Sequence, residues 1–319
     1  SRLHAGSYTL TATAQGYKAY SQMINLHTGT NAVSVNLELN IEKTTLSGKI
    51  KDYIDESILS DVTVTLAKNT VKTDKDGAYT LKDIPVGEQT ITLEKSGYDK
   101  NSKKAAIEKD KPLDLTLTPS GSVVFVSNSE SGKRGIYVSN YDGTSVKQLI
   151  KRVSDTEDFD IAINPDGKKI AFLSTREKRK LEKSANYEPS LYLINTDGSN
   201  LLQVSRDFAI RTILWSNDGS YLAWVSHTSE TDTDTNLYLY KLANKNTDKL
   251  NTSGTTYSFT FNHKGNAIAW PQSQGSGNPT SESGTFYRDL VKGETKKIDD
   301  GIGSNVSFAD DDKAIQYDT

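Results

Sequence analysis

Residues 163–175, INPDGKKIAFLST, place a turn, Asn-Pro-Asp-Gly, between two runs that alternate or cluster apolar side chains as strands do. The arrangement recurs as TPSGSVVFVS from residue 118, SNDGSYLAWVS from 216, NHKGNAIAWPQ from 262 and ADDDKAIQYD from 309. The turn positions Gly121, Gly167, Gly219, Gly265 and Asp312 stand 46, 52, 46 and 47 residues apart. A second pattern interleaves with the first: GIYVSNYDGTSVKQLI, SLYLINTDGSNLLQVS, NLYLYKLANKNTDKLN and TFYRDLVKGETKKID. Tyr137, Tyr192, Tyr238 and Tyr287 take the corresponding place in each.

Each repeat therefore predicts four short strands, joined by two tight hairpins and one longer connection. A period in the forties with four strands is the mark of a β-propeller blade, whose sheet hides its faces only against neighbouring blades. Residues 119–319 are expected to form about four such blades plus a truncated one. Trp215, Trp224 and Trp270, with Leu214, Phe261 and Phe172, are expected to fill the gaps between blades rather than line a sugar platform. Asp166, Asp197 and Asp218 read as turn formers ahead of glycine.

The front of the chain carries a different repeat. AGSYTLTATAQGY, residues 5–17, matches VGEQTITLEKSGY, residues 86–98, at a constant offset of 81. Each block is followed by another alternating run, AVSVNLEL or PLDLTLT. Alternation buries Val62, Val64, Leu66, Ile91 and Leu93, while DKDGAYTL is a hairpin with Gly77 in the left-handed region. Gly97 is expected to end its strand likewise and to fold Tyr98 over the sandwich edge. This is a small β-sandwich over residues 43–118. Residues 1–40 hold only the second half of such a module, so upstream residues are expected to complete it. The opening residue, Ser1, makes the chain read as a piece of something longer.

Two resemblances follow from these residues. The DG-x-Y turn, the G-x-x-x-I-x-L strand and the terminal Gly97-Tyr98 resemble the carboxypeptidase regulatory-like family, and residues 1–40 resemble it or the related PEGA family. INPDGKKIAFLSTR and LYLINTDGSNLLQVS resemble the blades of the TolB-like propeller family, which implies six or more blades in the whole protein and a final blade cut at Thr319. The fold class is thus all-β: small β-sandwich modules followed by a partial β-propeller of four-stranded blades.

Composition narrows function. Net charge is -3, so no polyanion-binding surface is implied and nucleic acid is not an expected partner. There is no cysteine, which excludes disulfides, thiolate metal sites and a cysteine nucleophile. No run reaches the apolar length of a membrane span, so an anchor has room only ahead of Ser1. No nucleophile elbow, H-E-x-x-H, P-loop or dinucleotide fingerprint is present. Lys72 stands where a calcium loop around Asp74 and Asp76 needs an acid, so TDKDG reads as a turn. His4, His27, His227 and His263 lie far apart, and neither a metal nor a cofactor is expected.

Function is expected in the long connections between second and third strands, which blade geometry places on one face. The candidate binding residues there are Arg134, Arg176, Lys178, Arg179, Tyr187, His227, Asp232, Asp234 and Gln274. The run from 176 to 183 holds five basic and two acidic side chains, suited to an acidic partner or otherwise a solvated helix or loop. The expected protein is a non-catalytic cell-surface, secreted or periplasmic one, whose sandwich spacers hold out a propeller that binds protein or glycan. The alternatives are a propeller gating a hydrolase (prolyl-oligopeptidase-like) encoded beyond this chain, and a periplasmic partner of an envelope complex.

Overall fold

The computed structural model describes residues 3–128, 132–182, 186–251, 254–275, 282–302 and 306–317. Every regular element among them is a β-strand. The chain divides into two compact units, Ser1–Gly121 with Asn140–Asp142, and Ser122–Ser139 with Gly143–Thr319.

The first unit opens with an antiparallel pair, β1 (Gly6–Ala12) and β2 (Tyr20–Leu26). A sandwich follows, built from β3 (Lys43–Asp52), β4 (Thr63–Leu66), β5 (Asn69–Lys72), β6 (Ala78–Pro85), β7 (Gly87–Glu94), β8 (Asn101–Ile107) and β9 (Leu115–Leu117). Its sheets run β6-β3-β9 and β5-β4-β7-β8. Period-two alternation sends Leu46, Ile50, Leu81 and Ile84 from one sheet against Val64, Leu66, Ile91 and Leu93 from the other, all fully buried. Gly48 leaves room for the Leu113 carbonyl, which a Cβ there would overlap and to which Tyr79 Oη donates at 2.7 Å. Gly77 takes φ 68° at the hairpin, where Asp74 Oδ1 accepts Asp76 N and Ala78 N, both at 2.9 Å. Past Gly97, φ 82°, Tyr98 folds back and donates its hydroxyl to Asp52 Oδ2 at 2.8 Å.

The second unit is a row of small antiparallel sheets. The first is β10 (Val123–Asn128), β11 (Arg134–Ser139) and β12 (Lys147–Gln148). The second is β13 (Asp158–Ile163), β14 (Lys169–Lys180), β15 (Tyr187–Asn195) and β16 (Leu202–Ser205). The third is β17 (Phe208–Trp215), β18 (Tyr221–His227), β19 (Asn236–Lys241) and β20 (Asn246–Lys249). The fourth is β21 (Thr260–Phe261), β22 (Ala267–Gln272), β23 (Gly284–Asp289) and β24 (Glu294–Asp299). The last is β25 (Val306–Phe308) with β26 (Ile315–Tyr317). Successive strands are neighbours in every sheet, as in propeller blades.

The second strand of each full blade is apolar on both faces because each face meets a different neighbour. Ile170 and Phe172 pack on Ile136 and Val138 of the first blade, whereas Ala171 and Leu173 meet Trp215, Leu222 and Trp224 of the third. Ala223 and Val225 meet Ile268, Trp270 and Phe261 of the fourth. All three tryptophans are buried, with Trp224 and Trp270 at 0% and 1% exposure.

Three expectations need correction. Leu214 is 43% exposed rather than core. Its strand, β17, shifts register twice, between Phe208 and Arg211 and between Arg211 and Leu214, with Ala209 and Thr212 at φ 49° and 52°, and each bulge changes which face the following residues occupy. In the fourth blade Phe286, not Tyr287, holds the shared aromatic place. Tyr137, Tyr192 and Tyr238 lie opposite Phe125, Phe172 and Trp224, but Trp270 pairs with Phe286. The hairpin after β23 closes from Gly293 N to Asp289 O, one residue longer than Gly198 N to Asn195 O, so equal spacing to the glycine misplaces the ring by one. The run from 176 is also neither helix nor free loop, because β14 continues to Lys180. A bulge between Ser174 and Arg179 carries Lys178 at φ 52°. Lys183 lies outside the described residues.

Candidate binding face

The second, third and fourth blades are tied to one another at both ends, the first blade to the second at one end and the last sheet to the fourth at the other, and like ends meet like. At the hairpin-turn end Asn164 Nδ2 donates to Gly219 O at 2.9 Å, Asn217 Nδ2 to Asn262 O at 3.2 Å, and His263 N to Asp312 Oδ1 at 2.8 Å. At the other end Arg134 Nη2 donates to Glu157 Oε2 at 3.1 Å, Ala209 N to Glu188 Oε1 at 2.6 Å, and Thr255 Oγ1 to Asp234 Oδ1 at 3.1 Å. Glu182 N also reaches Glu230 Oε1 at 3.1 Å, joining two of the long connections directly. The described parts of these connections therefore share one face, and the tight turns share the opposite one.

Several of the candidate residues are fixed in the base of that face. Arg176, with 11% of its side chain exposed, donates from Nη2 to Asp158 Oδ1 at 2.8 Å and from Nε to Ser174 Oγ at 2.9 Å. Its guanidinium lies over the rings of Tyr192 and Phe172, at 5.1 and 5.6 Å. Asp158 is fully buried, and among the described residues its Oδ2 has no hydrogen-bond partner. Arg179 caps the carbonyls of Pro189, Arg206 and Asp207 and lies 4.5 Å over Phe208. Burial lowers its pKa from the ordinary value. Arg134 lies 4.0 Å over Phe159, and its hydrogen bond holds the Glu157 carboxyl below the usual range against the opposing effect of burial. Asp232 closes its own loop by accepting from Thr228 Oγ1 and from Asp234 N.

The remaining candidates form the outer surface. Lys178 and Gln274 are exposed, and Tyr187 and His227 are half-buried. Tyr187 lies opposite Lys180 at the outer end of the β14–β15 ribbon. Arg206 pairs with Glu177 at 3.0 Å, so the basic run is partly neutralised within its own face. Among the described residues no group of three or more His, Cys, Asp or Glu side chains is placed to hold a metal ion.

Sequence reasoning missed the acids beneath the arginines. Asp158 accepts from Ser174 Oγ at 2.5 Å, and one blade later Asp207 accepts from Ser226 Oγ at 3.2 Å and Ser205 Oγ at 2.7 Å. The visible signal was a serine closing each apolar second strand, FLS and WVS, with an aspartate just before or at the start of the first strand. At the turn end a cavity of about 370 Å³ opens among Asp218, Tyr221, Lys241, Leu242, Leu290 and Val291.

Residues 45–120 match the family model described as a carboxypeptidase regulatory-like domain, which covers most of the sandwich. The comparison with curated proteins gives no match. Among solved structures the chain is similar to TolB from Acinetobacter baumannii, at 14% identity over 66% of this chain and 49% of that one, with a TM-score of 0.36. It is also similar to an oligogalacturonate lyase in complex with manganese, at 12% identity over 87% and 94% of the two chains, TM-score 0.40. A third is the β-propeller domain of the Trilobed protease from Pyrococcus furiosus, at 12% identity over 83% and 75%, TM-score 0.39. The chain spans about half the length of the Acinetobacter TolB. The blade architecture rests on this chain's own strand order and on the ties between its blades.

Proposed function

We propose that this chain is the non-catalytic recognition part of an extracytoplasmic protein, in which sandwich modules act as spacers and the loop-bearing propeller face binds a protein or glycan. One observation carries the reading. The long connections share a face and are braced from below by Arg134–Glu157, Arg176–Asp158 and Glu188–Ala209, so Lys178, Tyr187, His227 and Gln274 stand on a pre-organised base. Pre-organisation lowers the ordering cost of binding and so raises affinity without adding contacts.

The test is a glycan array, together with capture from a cell-surface extract, using the chain and two triple variants. Lys178→Ala/Tyr187→Ala/Gln274→Ala is expected to lose the ligand with an unchanged melting curve. Lys168→Ala/Lys245→Ala/Lys264→Ala, at the turn end, is expected to keep it. Loss in the second variant and retention in the first would place recognition on the opposite face and refute the reading.

A further inference from the structure

The pair β1–β2 repeats β7–β8 position by position at the offset of 81, with Leu10 for Ile91, Ala12 for Leu93 and Leu26 for Ile107. The backbone repeats it as well. Lys18 N donates to Glu38 O and Asn40 N to Gly16 O, as Asp99 N donates to Thr118 O and Ser120 N to Gly97 O. In the sandwich the outer edge of β7 is taken by β4, with Val64 opposite Leu93 and Leu66 opposite Ile91. Its inner face is closed by Leu46, Ile50, Leu81 and Ile84 of β3 and β6. Nothing equivalent covers the first copy: among the described residues β1 pairs with β2 alone, and no residue from 3 to 43 is buried. Ile91, Leu93 and Ile107 are at most 2% exposed.

We infer that the open edge of β1 and the apolar face of Tyr8, Leu10, Ala12, Ile24 and Leu26 receive a segment patterned like residues 43–85, carried on the same polypeptide on the N-terminal side of Gly6. The internal duplicate specifies the occupant. Its β4 counterpart pairs antiparallel along Leu10–Thr13 and points alternate Val, Ile or Leu side chains onto Leu10 and Ala12, as β-augmentation requires. The covalent order is specified too, because β6 ends at Pro85 and β7 begins at Gly87, so the covering segment runs directly into the strand it covers. A second copy of the chain is a poorer donor. Its own residues 43–85 are committed to a closed core, and lending them would open it.

The experiment replaces residues 1–5 with a second copy of residues 42–86, the junction set by the offset, and compares hydrogen exchange with that of the unaltered 319-residue chain. Every second amide from Leu10 to Thr13 is expected to exchange at least about 100-fold more slowly in the graft, as open edges become cooperative sheet. Binding of an apolar fluorescent dye is expected to fall. A companion graft with Val62→Lys and Val64→Lys in the added copy is expected to leave β1 exchange unchanged. Three results would overturn the inference: an added segment that stays unprotected while β1 exchanges as before, β1 amides in the unaltered chain already as slow as those of β7, or protection there that grows with protein concentration.

Discussion

Asn164 is the sharpest place to test the stitching of the blades. Its side chain is 2% exposed, donates from Nδ2 to the Gly219 carbonyl of the next blade at 2.9 Å, and accepts Asp166 N on Oδ1 at 3.1 Å. Asn164→Ala removes both bonds, each worth about 1 kcal/mol net, and leaves partly buried partners, for a loss of about 2–3 kcal/mol. Asn164→Asp keeps the shape and the bond to Asp166 N, so packing alone expects it to be milder. Electrostatics expects the reverse. The carboxylate turns an acceptor toward the Gly219 carbonyl and places a charge where there is almost no water, raising the loss to about 4–5 kcal/mol. All three tryptophans, Trp215, Trp224 and Trp270, lie in the second unit, so fluorescence in a urea titration reports that unit alone. With a urea slope of about 3 kcal/mol/M the midpoints fall by about 0.8 M for alanine and about 1.5 M for aspartate. The aspartate deficit is expected to shrink as the buffer is taken toward about pH 4, because a buried carboxyl is easier to accommodate protonated. Equal midpoints, or a milder effect for aspartate, would refute the reasoning.

Phe286→Ala is expected to cost about 3–5 kcal/mol by chemical denaturation, since it removes the ring stacked 5.7 Å from Trp270, whereas Tyr287→Ala, at a half-buried position edge-on to Phe308, costs about 1–2 kcal/mol. Arg176→Ala strands the buried Asp158 carboxylate and is expected to cost about 3–5 kcal/mol, while the double variant Arg176→Met/Asp158→Asn returns to within about 2 kcal/mol of the parent in a double-mutant cycle. Tyr79, Tyr98 and Tyr238 have phenols pushed up to about 12, by burial first and then by the carboxylates of Asp114, of Asp52 and Asp55, and of Asp207 and Asp232 respectively. A folded pKa above the unfolded value of about 10 contributes stability that is complete below pH ~10 and is lost as pH rises through about 12. An ultraviolet titration is expected to show these rings ionising last, together with unfolding.

Much of this fold is legible because its determinants are local. Period-two alternation, Asx turns ahead of glycine and a repeat in the forties are written within a few residues of where they act. The offset of 81 predicts not only similar strands but the same backbone hydrogen bonds around Gly16 and Gly97. Two of the failures, Leu214 and Tyr287, come from strict residue-by-residue counting. A strand face alternates residue by residue, so one extra residue at the hairpin from Asp289 to Gly293, or the bulges at Ala209 and Thr212, shifts which residue takes a given place without changing composition. Of the candidate site, the sequence located the loops that share a face but could not separate arginines that brace from side chains that project. Arg176 and Lys178 are two residues apart in one charged run; what distinguishes them is Asp158, distant in sequence and adjacent only once β13 pairs with β14.

One of the braces also stands where the backbone is strained. Asp160 in β13 and Ala209 and Thr212 in β17 lie at φ 49°, 49° and 52°, a region that costs a non-glycine residue about 1–2 kcal/mol, and both strands are the first, edge strands of their sheets. Such conformations persist only where the surroundings over-determine them. Ala209 shows how: its N–H is held by Glu188 from the blade before, and the carbonyls of Arg206 and Asp207 just ahead of it are held by Arg179. The same carboxylate and guanidinium that bend this edge strand also fix the root of the β14–β15 ribbon, which carries Lys178 and Tyr187 outward. Strand curvature and loop placement are therefore one set of interactions. The loop-bearing face can vary its outer side chains without loosening the blades only while Arg179 and Glu188 stay in place, which makes those two residues the boundary between what this surface can change and what it must keep.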